Sequence, residues 1–321
     1  MQLSIIIVSY NTKKLTLQTV RSLQQAIGQD SPLADNWEMI VVDNDSHDRT
    51  VEALEKLGRQ NLKIIRAGEN LGFGRANNLG FKRATGQLIL FLNSDTIVPA
   101  GTLEKMTAYY LNERERVWKK RKLGLLAAGL RNADGTIQPQ GGDLPRLGTI
   151  GSAMFFVDDL PVLNRFLPSV QHTGRRFNAQ KAASVEFERK GWVAGTAVMI
   201  HRDLITDFGG WDENIFMYGE DQEWSYRLHQ KGFYHGILQT APITHLGSAS
   251  GGSAFALVGE VKGYLYFFQK YKSREQWDWL KLILWLAMLT REFVFGVLKK
   301  DSKRADAYSQ ALSVVEEARY D

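Results

Sequence analysis

The 321-residue chain contains no cysteine. That excludes disulfides, thiolate zinc sites and a cysteine nucleophile, and it leaves any metal to carboxylate or histidine ligands. There is no low-complexity tract and no internal repeat, so a solenoid or a long solvated tail is not expected. The opening stretch "MQLSIIIVSYN" lacks a basic lead-in, and its apolar run is too short for a signal peptide; it reads as a first strand, with a cytoplasmic location expected. Long hydrophobic runs are also missing. The apolar stretch 282–289 is flanked by Lys281 and by Arg291-Glu292, too short to cross a bilayer.

What is present is ordinary for a globular protein: 44% hydrophobic and 23% charged residues, in a length suited to one large α/β domain with an appendage or to two domains. The net charge of +5 is clustered at 113–122, 269–274 and 299–304. Each cluster reads either as solvated surface or as a contact for an anionic surface or substrate. The clusters lie apart, beside Trp-rich helix-like segments, a pattern suited to anionic lipid; nucleic acid is not expected as a partner.

Short β-branched apolar runs occur at 3–8, 38–43, 62–66 and 87–92, separated by stretches of helical character. This alternation predicts parallel strands with crossover helices, a Rossmann-like half. Ligands of such sheets gather at the carboxyl ends of the strands, where the polar groups fall here: Ser9, Tyr10 and Asn11; Asp43 to Ser46; Asn93 to Asp95. From about residue 124 the pattern loosens, and 140–180 reads as an irregular lid or acceptor-side segment. Residues 255–298 hold eleven aromatics. Within them, 277–298 fits a helix lying in a membrane interface, or equally one packed on the domain or on a second subunit.

Several stretches carry chemistry. In "VVDNDSHDRT", Ser46 and Asp48 suit helix capping, whereas Asp43 sits where the strand stops and can accept a hydrogen bond from a nucleotide's base or sugar. "ENLGFGRANNLG", 69–80, offers glycines and asparagines to a diphosphate but matches neither the dinucleotide fingerprint nor a Walker sequence. "FLNSDT" ends a strand with Asp95, which suits a turn or a divalent cation shared with a diphosphate. "THLGSAS" places His245 at the end of another short run, as a structural histidine or a ligand. In "FMYGEDQEWSYRLHQKGF", Glu220, Asp221 and Glu223 crowd into four positions. Acids at a helix start and Arg227, His229 and Lys231 at its end are helix punctuation, and catalysis is compatible with it.

In order from residue 3 to about 250, "IIIVSYN", "VVDNDSHDRT", "NLGFGRANNLG", "FLNSDT", "GWVAGTAVMIHRD", "GGWDENIFMYGEDQEWSYRLHQKGF" and "ITHLGSAS" resemble the family-2 inverting glycosyltransferases of the GT-A fold. Within that family they resemble the bacterial rhamnosyltransferase-type enzymes that build cell-surface polysaccharides. The resemblance implies a GT-A domain over 1–254, with a nucleotide-binding half 1–123 and an acceptor-side half 124–254, followed by a helical extension 255–321. It implies that Asp43, with Ser9, Tyr10 and Asn11, holds the base of a nucleotide sugar, and that Asn70, Gly72 and Asn78 lie near its ribose or diphosphate. Asp95 would bind Mn²⁺ or Mg²⁺ with His245; Asn93 replaces the first acid of the family's aspartate pair, leaving one carboxylate there. Asp221 would be the general base, with Trp192, Gly195, Asp212 and Glu220 on the acceptor side. The implied donor is dTDP-rhamnose or a UDP-sugar, and the acceptor a glycan or polyprenyl-linked glycan at the inner face of the membrane; self-association stays open. Two further readings are a nucleotidyltransferase acting on a sugar phosphate and a non-catalytic sugar-binding module.

Overall fold

The computed structural model describes residues 2–115, 122–155, 168–171, 179–247 and 253–320. Most of the basic stretch 113–122, much of the segment 140–180, and Ser248 to Ser250 of "THLGSAS" lie outside them.

Ten strands form one sheet. They are β1 (Leu3–Ser9), β2 (Trp37–Asp43), β3 (Leu62–Arg66), β4 (Leu88–Asn93), β5 (Thr96–Ile97), β6 (Leu123–Arg131), β7 (Ile137–Gln138), β8 (Phe187–Lys190), β9 (Ala197–His201) and β10 (Tyr234–His245). The helices are α1 (Lys13–Ala26), α2 (Thr50–Glu55), α3 (Gly72–Phe81), α4 (Thr102–Glu115), α5 (Leu147–Met154), α6 (Ala179–Ser184), α7 (Arg202–Phe208), α8 (Glu220–Gln230), α9 (Ser253–Tyr271), α10 (Arg274–Phe293) and α11 (Ser302–Glu317). The strand order is β3-β2-β1-β4-β9-β6-β10-β5. β1, β2, β3 and β4 pair in parallel, as do β6 and β10, while β9 enters antiparallel between β4 and β6.

Continuous apolar strands belong in a sheet covered on both faces, and alternate residues divide between two cores. Ile5, Ile7, Met39, Val41, Leu88 and Leu90 meet α1 and α4 on one side. Ile6, Ile40, Val42, Ile89 and Phe91 meet Trp211, Trp224 and α7 on the other. The parallel registers align Ser9 with Asp43 and Val8 with Asn93, so the expected strand ends do share one edge. At the far end, antiparallel pairing of β5 with β10 sets Thr96 opposite His245, which draws Asp95 to the histidine.

A third core joins α9, α10 and α11 to α5 and Val170. One face of α10 therefore packs on the body of the chain, and among the described residues no helix is long and apolar enough to cross a membrane. α9 also reaches back to the sheet domain: Lys270 Nζ lies 2.6 Å from Asp212 and 2.9 Å from Glu223, and Tyr266 donates to Asp212 at 2.8 Å. Glu223, fully buried, also pairs with Arg227 at 3.0 Å. Replacing Glu223 by alanine strips two cations of a shared, desolvated partner. After allowance for the partial exposure of Lys270, the expected cost is about 2–3 kcal/mol, read as a fall in Tm.

Candidate active site

A cleft of about 760 Å³ opens at the carboxyl edge of β1, β2 and β4. Its wall includes Tyr10, Asn44, Asn70, Gly72, Asn93, Asp95, Gly195, Glu220, Asp221 and His245. The strand edge, the loop before α3, the first turn of α8 and the end of β10 thus converge on one space, as expected for a doubly wound sheet.

The floor is a network of asparagines. Asn44 accepts from Leu71 N at 2.9 Å and donates to Asn70 Oδ1 at 2.8 Å and to the Gly72 carbonyl at 3.1 Å. Gly72 has φ +76°, and a Cβ there would collide with the Phe216 backbone, so glycine is required for this loop to pass under the 216–219 turn. Asp43 lies next to the floor. One of its oxygens accepts from Ser46 N at 3.0 Å; the other is buried with no partner. An unpaired buried carboxylate oxygen is costly, and a ligand N–H is the kind of group that satisfies it.

On the opposite side, His245 Nε2 stands 3.3 Å from Asp95 Oδ1, and its Nδ1 lies 2.9 Å from Gln138 Oε1. An amide oxygen only accepts, so Nδ1 carries the hydrogen, and in the neutral ring Nε2 presents its lone pair on the side of the carboxylate. With the ring neutral, this nitrogen and oxygen side by side in a half-buried pocket suit a cation that both contact. Among the described residues no group of three or more His, Cys, Asp or Glu is placed to hold a metal ion, so such a cation would need further oxygens from a bound diphosphate.

The third wall is the start of α8. Tyr218 (φ +71°) and Gly219 (φ +100°) are both left-handed, strained at the tyrosine and readily adopted by the glycine, and together they swing the first helical turn into the cleft. α9 holds this turn through glycines: a Cβ on Gly263 would lie 2.6 Å from the Tyr218 carbonyl. Asp221 accepts from Gln222 N at 2.8 Å and from the Gly195 amide. Removal from water nevertheless outweighs these bonds and pushes its carboxyl up to about 7, and the nearby Glu260 adds to the rise. Glu220 is pushed up to about 8, first by burial and then by the charge of Asp221, and one of its oxygens has no partner. Two adjacent acids in such a site share protons as a pair.

The three carboxylates of 220–223 thus divide. Glu220 and Asp221 face the cleft, whereas Glu223 turns to Arg227 and Lys270.

Of the residues marked from sequence, Tyr10, Asn70, Gly72, Asn93, Asp95, Gly195, Glu220, Asp221 and His245 meet in the cleft. Others are engaged elsewhere. Ser9 is buried and bonded to Thr12 and Thr16 at 3.2 and 2.8 Å. Asn11 accepts from His47 N at 2.8 Å, tying the β1 end to the β2 end. Asn78 clamps Trp211 through both its side-chain ends, at 2.8 and 3.0 Å, rather than facing a diphosphate. Trp192 buries its ring and donates to the Val170 carbonyl at 2.6 Å. Asp212 spends both oxygens on Asn214, Tyr266 and Lys270. Sequence reasoning placed Asn44 at a strand end, within Asp43 to Ser46, without giving it a role, and it missed Gln138, Phe255 and Glu260, which lie in segments without a motif.

Residues 4–121 match the model of the family described as Glycosyl transferase family 2. A stretch of 111 residues is 33% identical to the poly(ribitol-phosphate) beta-N-acetylglucosaminyltransferase TarS of Staphylococcus aureus, spanning 34% of this chain and 19% of that protein. Over 224 residues the chain is 26% identical to an N-acetylglucosaminyl-diphospho-decaprenol L-rhamnosyltransferase of Mycobacterium tuberculosis, covering 64% of this chain and 66% of that one. The chain therefore spans about a fifth of the first relative and just under two thirds of the second. The fold is similar to that of the mannosyltransferase PcManGT from Pyrobaculum calidifontis, solved in complex with GDP-Man and Mn²⁺: TM-score 0.57, 14% identity, covering 98% of this chain and 86% of that one. Residues 4–121 thus match glycosyl transferase family 2, and the chain has the GT-A fold.

Proposed function

We propose that the chain is an inverting glycosyltransferase that moves a sugar from a nucleoside-diphosphate donor to a hydroxyl of a glycan or lipid-linked acceptor. The observation that carries this reading is a single cleft in which Asp221, with raised proton affinity, stands with the Asp95–His245 pair. The acceptor oxygen forms a bond to the anomeric carbon from the face opposite the diphosphate. Its proton passes to Asp221 Oδ, and the carbon–oxygen bond to the diphosphate breaks with its electron pair leaving on the nucleotide. Tyr10 lines the base end with Asp43 beside it, its free oxygen kept for the base, and the Asn44–Asn70 network positions the middle of the donor. Asp95 and His245 would hold Mn²⁺ or Mg²⁺, which when bound stabilises charge developing on the leaving diphosphate. Domain boundaries near 123 and 254 fit this division of labour, although Phe255 and Glu260 draw α9 into the site.

The donor proposed first is dTDP-rhamnose, supported by the mycobacterial relative's name; UDP-sugars stand beside it, since TarS is named for N-acetylglucosamine transfer and Asp43 suits thymine and uracil alike. A thermal-shift screen of nucleotide sugars with and without Mn²⁺ tests both, and a Tm rise specific to one donor identifies it. A nucleotidyltransferase would instead release pyrophosphate from a nucleoside triphosphate, and it ordinarily relies on two metal carboxylates where the end of β4 has Asn93 and Asp95.

The raised acids give a pH signature. A base must be deprotonated to act, so kcat/KM should fall about tenfold per pH unit below about 7, well above the usual carboxylate range. The folded chain also keeps protons on Glu220 and Asp221 that an unfolded chain releases above pH ~4. The pair therefore subtracts from stability as pH rises from about 4 toward 7 and 8, a trend that urea melts across that window would report.

A further inference from the structure

Glu260 carries a charge that its packing does not require. It belongs to the stretch of α9 that presses on the turn before α8, where a Cβ on Gly259 would stand 2.5 Å from the Tyr218 ring and one on Gly263 2.6 Å from the Tyr218 carbonyl. Glycine permits that approach, which brings Glu260 and Tyr264, one helical turn apart, close to the turn that carries Asp221. Tyr264 is fully buried; it donates to Glu260 Oε1 at 2.7 Å and also meets the Gln222 side chain. The backbone N–H of that Gln222 donates to Asp221 at 2.8 Å. Gln171 donates to the same Glu260 oxygen, from a strip held by Thr149 and Trp192.

Both donors thus fall on one oxygen, and the other bonds nothing among the described residues. A glutamine would serve this packing equally well, because its amide oxygen accepts from both. A carboxylate costs more there. Burial pushes its carboxyl up from the ordinary range, and its charge acts on Asp221, a second acid in the same partly dry space. Arg291 on α10 offsets part of that cost, although its guanidinium bonds the Ala153 and Met154 carbonyls and Tyr308.

We propose that Glu260, on the reading of Asp221 as the base, is its positioning residue: Tyr264 and Gln171 fix the Glu260 carboxylate near the α8 turn, and the negative charge held there strengthens Asp221 as a proton acceptor. The other titratable groups around the two acids are accounted for. Glu220 holds its proton more tightly than Asp221, Tyr218 and Tyr264 are kept neutral by burial, and Asp95 and His245 stand across the cleft as the cation pair. Two donors and Arg291 favour the charged form of Glu260, so it is the anion beside Asp221 when the base loses its proton.

Glu260→Gln keeps both bonds and deletes only the charge. Its first readout is independent of turnover. In a chain carrying carbon-13 at the aspartate carboxyls, the NMR signal absent from Asp221→Asn belongs to Asp221. The titration midpoint of that signal, near 7 in the natural chain, should fall by about one pH unit in Glu260→Gln. It should stay near 7 in Glu260→Asp, which retains the charge. The second readout is slow hydrolysis of dTDP-rhamnose or UDP-N-acetylglucosamine, with water in place of the acceptor. Its acid limb should move down with the midpoint, so that kcat/KM at pH 6, relative to the plateau, rises about fivefold while affinity for the sugar nucleotide is unchanged. A midpoint that does not move in Glu260→Gln overturns the proposal, and so does an equal fall in Glu260→Asp, since the charge would then not be its cause. A midpoint that moves while the hydrolysis limb stays in place is a different result: it upholds the coupling and removes Asp221 as the base.

Discussion

Replacing Asp221 by asparagine is expected to lower turnover by roughly 10²- to 10⁴-fold, the usual cost of losing a positioned base, with little change in affinity for the sugar nucleotide. Asparagine keeps the side chain's shape, and its Oδ1 can still accept from Gln222 N, so the first turn of α8 keeps that bond. It removes only the ability to take a proton. The acid limb of the pH profile near 7 should disappear with it, because that limb belongs to the Glu220–Asp221 pair and Glu220 alone would not reproduce it. Glu223→Gln is the informative control. That carboxylate lies in the same helix but pairs with Arg227 and Lys270, so its loss should appear in Tm and leave the profile's position unchanged. Equal turnover in Asp221→Asn and the natural chain, at saturating donor, would remove the proton acceptor from the scheme.

How much of this site could be read from the letters varies with the kind of contact. Strand ends were legible, because apolar β-branched runs stop where the sheet stops; the runs at 3–8, 38–43, 62–66 and 87–92 correspond to β1 to β4 within a residue. The division of the acids at 220–223 was legible in principle: residues two apart on a helix point about 200° apart, so Asp221 and Glu223 could not both face one cleft. Side chains that bond distant backbone were not legible. Asn78 belongs to an asparagine- and glycine-rich stretch that reads as suited to a diphosphate, yet it stands on α3 and its partner Trp211 lies 133 residues on. Asp212 is given by the resemblance to the acceptor side, and its partner Lys270 lies 58 residues away on a helix outside the quoted motifs. The third wall depends on α9 in the same way. Gly259 and Gly263 read as weak spots in a helix, whereas their missing side chains are what let α9 press on the Tyr218–Gly219 turn.

The second large effect is expected at Asp95 and His245. Asp95→Ala should reduce turnover by on the order of 10²- to 10³-fold or more, as the loss of a group that stabilises developing charge does. It should also remove the dependence of nucleoside-diphosphate binding on Mn²⁺, a readout independent of catalysis and measurable by calorimetric titration of the natural and variant chains. The pair is fixed by different means on its two sides. Asp95 follows the end of β4, and His245 is set opposite Thr96 by the β5–β10 pairing. Gln138 then selects the tautomer by accepting from Nδ1, which leaves Nε2 free to donate its lone pair. Gln138→Leu keeps the bulk and deletes the acceptor, so it should weaken Mn²⁺ binding by about 10- to 100-fold while the Asp221 limb of the pH profile stays where it was. If Mn²⁺ binds the Asp95→Ala and Gln138→Leu chains as tightly as the natural one, His245 Nε2 and Asp95 Oδ1 at 3.3 Å are a plain pair with a proton between them, and the leaving diphosphate must find its counter-charge elsewhere in the cleft.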